Sequence, residues 1–211
     1  MHIPDGFLAM NTWLPAWFVS AGGIGYSIRM ASKQLKEKMV PLMGIMSAFI
    51  FAAQMLNFPV AGGTSGHLLG GVLAAVLLGP FAGAIVISVV LIAQCLIFQD
   101  GGLTALGANI LNMGIIGTMV SYLLYNIIRK AIGTNRGIMI GAFVAAWFSV
   151  VIASSVCAIE LAISGTVPIG KALPAMAGVH AIIGIGEAII TSIVVGFVLK
   201  VRPDLIYGKE N

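Results

Sequence analysis

Apolar residues fill most of the chain in long runs, broken by short polar stretches. A helix needs about 20 apolar residues to cross a bilayer. The runs predict spans at 13–30, 40–56, 67–79, 81–98, 103–128, 137–163 and 173–199. The third is short, and Pro80 separates it from the fourth, which predicts a tight helical hairpin. Small residues recur inside the runs, as they do where membrane helices pack closely. No linker, repeat or low-complexity segment interrupts the pattern. The expected architecture is all-α: one transmembrane domain over residues 1–211, with seven transmembrane helices and short tails.

The charges test that count. Arg29, Lys33, Lys36 and Lys38 follow the first span, Arg129, Lys130 and Arg136 the fifth, and Lys200, Arg202 and Lys209 the seventh. With seven spans all three clusters fall on one side, and only Lys171 falls on the other. The positive-inside rule makes the shared side cytoplasmic, so the N-terminus is expected outside and the C-terminus in the cytoplasm. The segments 57–66, 99–102 and 164–172 are then also outside. A missed or extra span would scatter the clusters.

Composition agrees. Charged residues are 9% of the chain and hydrophobic ones 59%, whereas soluble domains carry about 25% charged residues. The net charge of +4 is confined to the three clusters, so no nucleic-acid partner is expected. Cys95 and Cys157 lie far apart in apolar runs and indicate neither a disulfide framework nor a cysteine metal site. The opening MHIPDGFL lacks the basic stretch of a cleavable signal, and the start is expected to be kept.

The histidines are His2, His67 and His180. In this topology His2 and His67 share the outer side, and the glycine-rich run 61–66 could bend so that His67 meets the N-terminus. The free amine of Met1, the backbone nitrogen of His2 and the His2 imidazole can close adjacent chelate rings on one metal. With the amide proton lost, three nitrogens lie nearly in a plane, and His67 could add a fourth. Planar nitrogen coordination favours Ni(II) or Cu(II) over tetrahedral Zn(II). Spacing alone favours an ordinary terminus and an ordinary helix-end histidine.

Three stretches shift that balance: MHIPDGFL at the start, GGTSGHLLGG at 62–71 and FQDGGLTALGANILNMG at 98–114. Together they resemble the NikM/CbiM family, the metal-binding S components of energy-coupling factor (ECF) transporters, over essentially the whole chain. The resemblance implies an extra N-terminal helix, hence seven spans. It also implies a metal site built from Met1, His2 and His67, in the N-terminal segment 1–12 and the GGTSxH loop. Nickel is favoured because the start reads MHIPDG rather than the MHIMEG more usual in cobalt members; cobalt is the alternative substrate. Implied partners are a transmembrane T component, paired ATPase subunits and a small accessory membrane subunit, at the cell membrane. The capture subunit itself is expected to be non-catalytic.

Asp5, Ser65, Gln99, Asn109 and Asn112 are candidates to orient the imidazoles. Asp100 reads rather as part of an Asp-Gly-Gly turn, and Asn109 equally as a helix-joining residue. Glu160, His180 and Glu187 are ionisable groups inside spans, where functional roles are common; buried hydrogen bonding is favoured for the last two. Gly44, Ala48 and Ala52 form a small-residue stripe, and the resemblance makes it the docking face for the T component. Gly165–Lys171 matches the first seven places of a phosphate-binding loop, but Ala172 replaces the required hydroxyl residue, so no ATP site is expected. A proton-driven secondary transporter using Glu160, His180 or Glu187 is a rival reading. A membrane metalloenzyme is a weaker one, since no nucleophile or base accompanies the histidines.

Overall fold

The structure, a computed structural model, describes residues 1–34 and 39–209. Lys36 and Lys38 of the first basic cluster lie outside the described residues. Seven helices form the described part. They are α1 Met10–Gln34, α2 Met39–Gln54, α3 Gly71–Leu78, α4 Pro80–Phe98, α5 Leu106–Ile132, α6 Asn135–Ile163 and α7 Ile169–Val201. Within α5 the stretch Ile110–Val120 is π-helical, with Thr118 and Ser121 hydroxyls bonding carbonyls five residues back.

Four helices, α4 to α7, are long and apolar enough to cross a membrane. α2 is apolar but shorter. α3 departs most from the predicted span 67–79. Its eight residues rise only about 12 Å, well short of a hydrocarbon core about 30 Å thick, and all eight are buried. Gly70 and Gly79, both at positive φ, bound it, and Pro80 starts the next helix. At Gly83 a Cβ would come 3.0 Å from the Ala75 backbone, so α3 and α4 pack nearly backbone to backbone.

The all-α expectation needs one amendment. Phe58–Pro59 pairs antiparallel with Ser65–Gly66 in a small hairpin. Val60 N–H donates to Thr64 O at 3.0 Å and Gly63 N–H to Val60 O at 3.0 Å, closing the turn. The glycine-rich run is thus a structured turn, with Gly62 at φ 74°, and His67 follows it in non-helical chain.

Non-helical backbone at membrane depth must be satisfied by protein. Here the Glu187 carboxylate accepts from Leu69 N and Gly70 N, both at 2.7 Å, and Gln54 Nε2 donates to Leu69 O at 2.7 Å. α2 and α7 thereby hold the strand that carries His67.

The described basic residues of all three clusters gather at one end of the bundle, where the C-terminal tail folds over. Tyr207 N–H donates to Val76 O at 2.9 Å, Arg129 Nη1 to Tyr207 O at 2.8 Å, Tyr207 OH to Gln34 Oε1 at 2.8 Å and Lys209 Nζ to Asn135 Oδ1 at 3.0 Å. Lys171 lies at the other end, in the first turn of α7. There Thr166 Oγ1 donates to Phe7 O, and Ser164 Oγ to Thr12 Oγ1 at 3.0 Å.

Candidate metal centre

The first residues run into the protein rather than away from it. Met1 and Ile3 are fully buried, and His2 is 4% exposed. Ile3 is fixed as a strand residue would be. Its N–H donates to Asn109 Oδ1 at 2.9 Å, and its carbonyl accepts from Asn109 Nδ2 at 3.2 Å and from Gly102 N at 2.8 Å. Asp5 follows, accepting from Leu103 N at 3.0 Å and Thr104 N at 2.7 Å. The start of α5 and the turn before it therefore clamp the terminus. α1 braces that turn: Trp17 Nε1 donates to Thr104 O at 2.9 Å and Ser20 Oγ to Gly107 O at 2.6 Å.

The clamp delivers the terminal nitrogens to the hairpin. The Met1 amine donates to the carbonyl of Ser65 and, at 2.8 Å, to Ser65 Oγ. The His2 N–H donates to the same Oγ at 3.1 Å. The His2 and His67 rings stack with centroids 4.5 Å apart and planes 28° apart.

Each ring has one nitrogen occupied and one free. His2 Nε2 lies 3.0 Å from Gln94 Oε1, an acceptor, so its proton sits on Nε2. His67 Nδ1 lies 2.6 Å from Leu68 O, so its proton sits on Nδ1. His2 Nδ1 and His67 Nε2 are left buried without a hydrogen-bond partner. They carry exposed lone pairs inside the protein, an arrangement that costs stability unless something electrophilic takes them.

Burial also prepares the charges. It lowers the Met1 amine from 8.0 to about 5, against the opposing pull of Cys157 and Asp100. It lowers the His2 imidazole from 6.5 to about 3, helped by the nearby amine. Both groups are thus neutral, the form that binds a metal, near neutral pH. Among the described residues no three His, Cys, Asp or Glu side chains cluster as a metal cage.

Residues 2–205 match the family described as the cobalt uptake substrate-specific transmembrane region, CbiM. The chain belongs to the CbiM family. It is similar to the putative fused nickel transport protein NikMN of Archaeoglobus fulgidus, with 44% identity over 99% of this chain and 69% of that protein. It is also similar to the putative cobalt transport protein CbiM of Methanococcus voltae, with 33% identity over 100% of this chain and 96% of that protein. The crystal structure of a truncated transition metal transporter superposes with a TM-score of 0.89 at 33% identity, covering 95% of this chain and 99% of that one.

In this CbiM-family chain Met1, His2, Ser65 and His67 meet at one point, and Asp5 and Asn109 anchor the segment that delivers the first two. Two expectations are corrected. Gln99 is exposed, in the left-handed turn at φ 55° that ends α4, and does not reach an imidazole. Gln94, one helical turn inside α4 and fully buried, does so instead. Asn112 donates to Glu160 Oε2 at 2.6 Å, joining α5 to α6 rather than orienting a histidine. Asp100 is more than a turn residue: its Oδ1 lies 3.5 Å from His2 Nδ1. Gln94 is an amide inside an apolar run, as Gln54 is, and nothing in the sequence pointed to Gln94 or Asp100 over their neighbours.

Glu160, His180 and Glu187 are each tied locally, to Asn112, to Met176 O at 2.7 Å, and to the Leu69 and Gly70 amides. They form no hydrogen-bonded chain among the described residues.

Proposed function

We propose that this chain is the substrate-capture subunit of an ATP-driven ECF-type importer, binding Ni(II) at the outer face through Met1, His2 and His67. One observation carries it: the buried Met1 amine and His2 main-chain nitrogen share Ser65 Oγ beside the stacked His2 and His67 rings, whose Nδ1 and Nε2 respectively have no hydrogen-bond partner. Amine and amide nitrogen close a five-membered ring on a metal, and amide nitrogen and Nδ1 a six-membered one. Nδ1, not Nε2, is the ring nitrogen that can do this, and Nδ1 is the free one. His67 Nε2 completes four nitrogens, a set suited to planar Ni(II). Gln94 and Leu68 O hold the two rings from behind. This use of the terminus requires Met1 to be the start of the mature chain, with an unblocked amine.

Relatives bearing both nickel and cobalt names leave cobalt as the second substrate. In this account seven helices traverse the membrane, with α3 completed by the buried non-helical strand before it. The basic end faces the cytoplasm and the metal end faces outside. Energy for uptake comes from paired ATPase subunits through a T component, with a small accessory membrane subunit. The T component docks on α2, whose Gly44, Ala48 and Ala52 are all exposed.

Nickel titration of the purified chain against His2→Ala and His67→Ala tests this. The wild type should bind one Ni(II) with a planar yellow absorption, and both variants should lose it. Undiminished binding in either variant would refute the ligand set.

A further inference from the structure

A dication that displaces the His2 amide proton meets one negative nitrogen and three neutral ones. A net positive charge would then be enclosed where Met1, His2 and His67 are 0%, 4% and 1% exposed. An uncompensated buried charge is strongly disfavoured.

Four of the five described carboxylates are committed elsewhere. Asp5 holds the Leu103 and Thr104 amides, Glu160 holds Asn112, Glu187 holds the Leu69 and Gly70 amides, and Asp204 pairs with Arg202. Asp100 is different. Its Oδ1 faces the unprotonated His2 Nδ1 at 3.5 Å, too long for a hydrogen bond but near enough to feel the charge of an ion held on Nδ1. Its Oδ2 accepts from Asn57 Nδ2 at 2.9 Å, and its N–H donates to Gln94 O at 3.1 Å. The carboxylate is therefore aimed, with one oxygen anchored and the other turned to the site. Its side chain is 19% exposed against 2% for His2, so it forms the wall between the site and the outer face.

Resting on the capture reading above, we propose that Asp100 is the charge-balancing partner of the bound ion. It is not a ligand. It supplies the second negative charge that makes the occupied site neutral, from just outside the four nitrogens.

The test is Ni(II) titration of the full-length chain with its native start, followed by absorption, in wild type, Asp100→Asn and Asn57→Ala. Asp100→Asn keeps the shape and removes the charge. It should lower affinity about 10- to 100-fold while the absorption maximum stays put and the metal-free melting temperature holds. Asn57→Ala removes the anchoring hydrogen bond and leaves the charge, so its affinity should stay much nearer wild type. Three results overturn the role: equal affinity in Asp100→Asn, a shifted absorption marking Asp100 as a ligand, or an equal loss in Asn57→Ala marking the contact as structural. If wild type takes up no nickel, the capture reading falls as well. If wild type binds and Asp100→Asn matches it, only the charge role falls.

Discussion

In the proposed site Met1, His2 and His67 supply the nitrogens, and Ser65 Oγ accepts from two of them in the metal-free protein. The buried amine of Met1 carries no proton above about pH 5, so metal capture there releases only the amide proton of His2. Below that pH it must also displace the amine proton. The logarithm of affinity should therefore rise by about one per pH unit above pH 5 and by about two below it. A flexible terminus would show the break near its ordinary value of 8.0 instead, and a break there in nickel titrations would contradict the buried amine. Gly102 is the most constrained position around the terminus. A Cβ on it would lie 2.5 Å from Asp5 Oδ1 and 2.6 Å from the Pro4 carbonyl carbon. The Pro4 backbone cannot swing aside, so Gly102→Ala should destabilise the docked segment by about 1–3 kcal/mol. Nickel affinity should then fall about tenfold or more; unchanged affinity would show that the segment docks otherwise. The meeting of Met1, His2 and His67 was legible in the sequence through the motifs of the family resemblance, since spacing alone pointed to an ordinary terminus. Gln94 and Asp100 were not, because only the path of the folded terminus decides which polar side chain of the α4 end faces it.

At the scale of elements the apolar runs gave the helices to within a few residues at most ends, since burial in apolar surroundings fixes them. Hydropathy misleads where backbone groups find partners outside a helix. After His67 the run to residue 79 is apolar, yet Glu187 and Gln54 satisfy its first peptide groups and let residues 67–70 stay non-helical. Those two polar residues stand far away in sequence, so the run alone could not reveal them. The π-helical stretch of α5 likewise leaves no trace in hydropathy. In the proposed assembly the T component meets the exposed face of α2, where Ala48 lies between Gly44 and Ala52. Ala48→Phe should leave nickel affinity of the isolated chain unchanged and sharply reduce uptake by the assembled transporter. Full uptake with the bulky side chain would remove α2 from the docking account.

For the whole molecule the division of labour is between two ends. One end carries the basic clusters and the folded tail, held by Arg129 and Tyr207. The other gathers the terminus, the hairpin and the ends of α4 and α6. The central claim is that the first nitrogen of the chain is itself part of the metal cage. An acetyl group on the Met1 nitrogen removes its basic lone pair while leaving every side chain in the protein unchanged. Isothermal titration of Ni(II) into the acetylated chain, beside the native one, is the sharpest check. Nickel binding should be lost in the acetylated chain. Equal nickel affinity in the two chains would contradict it.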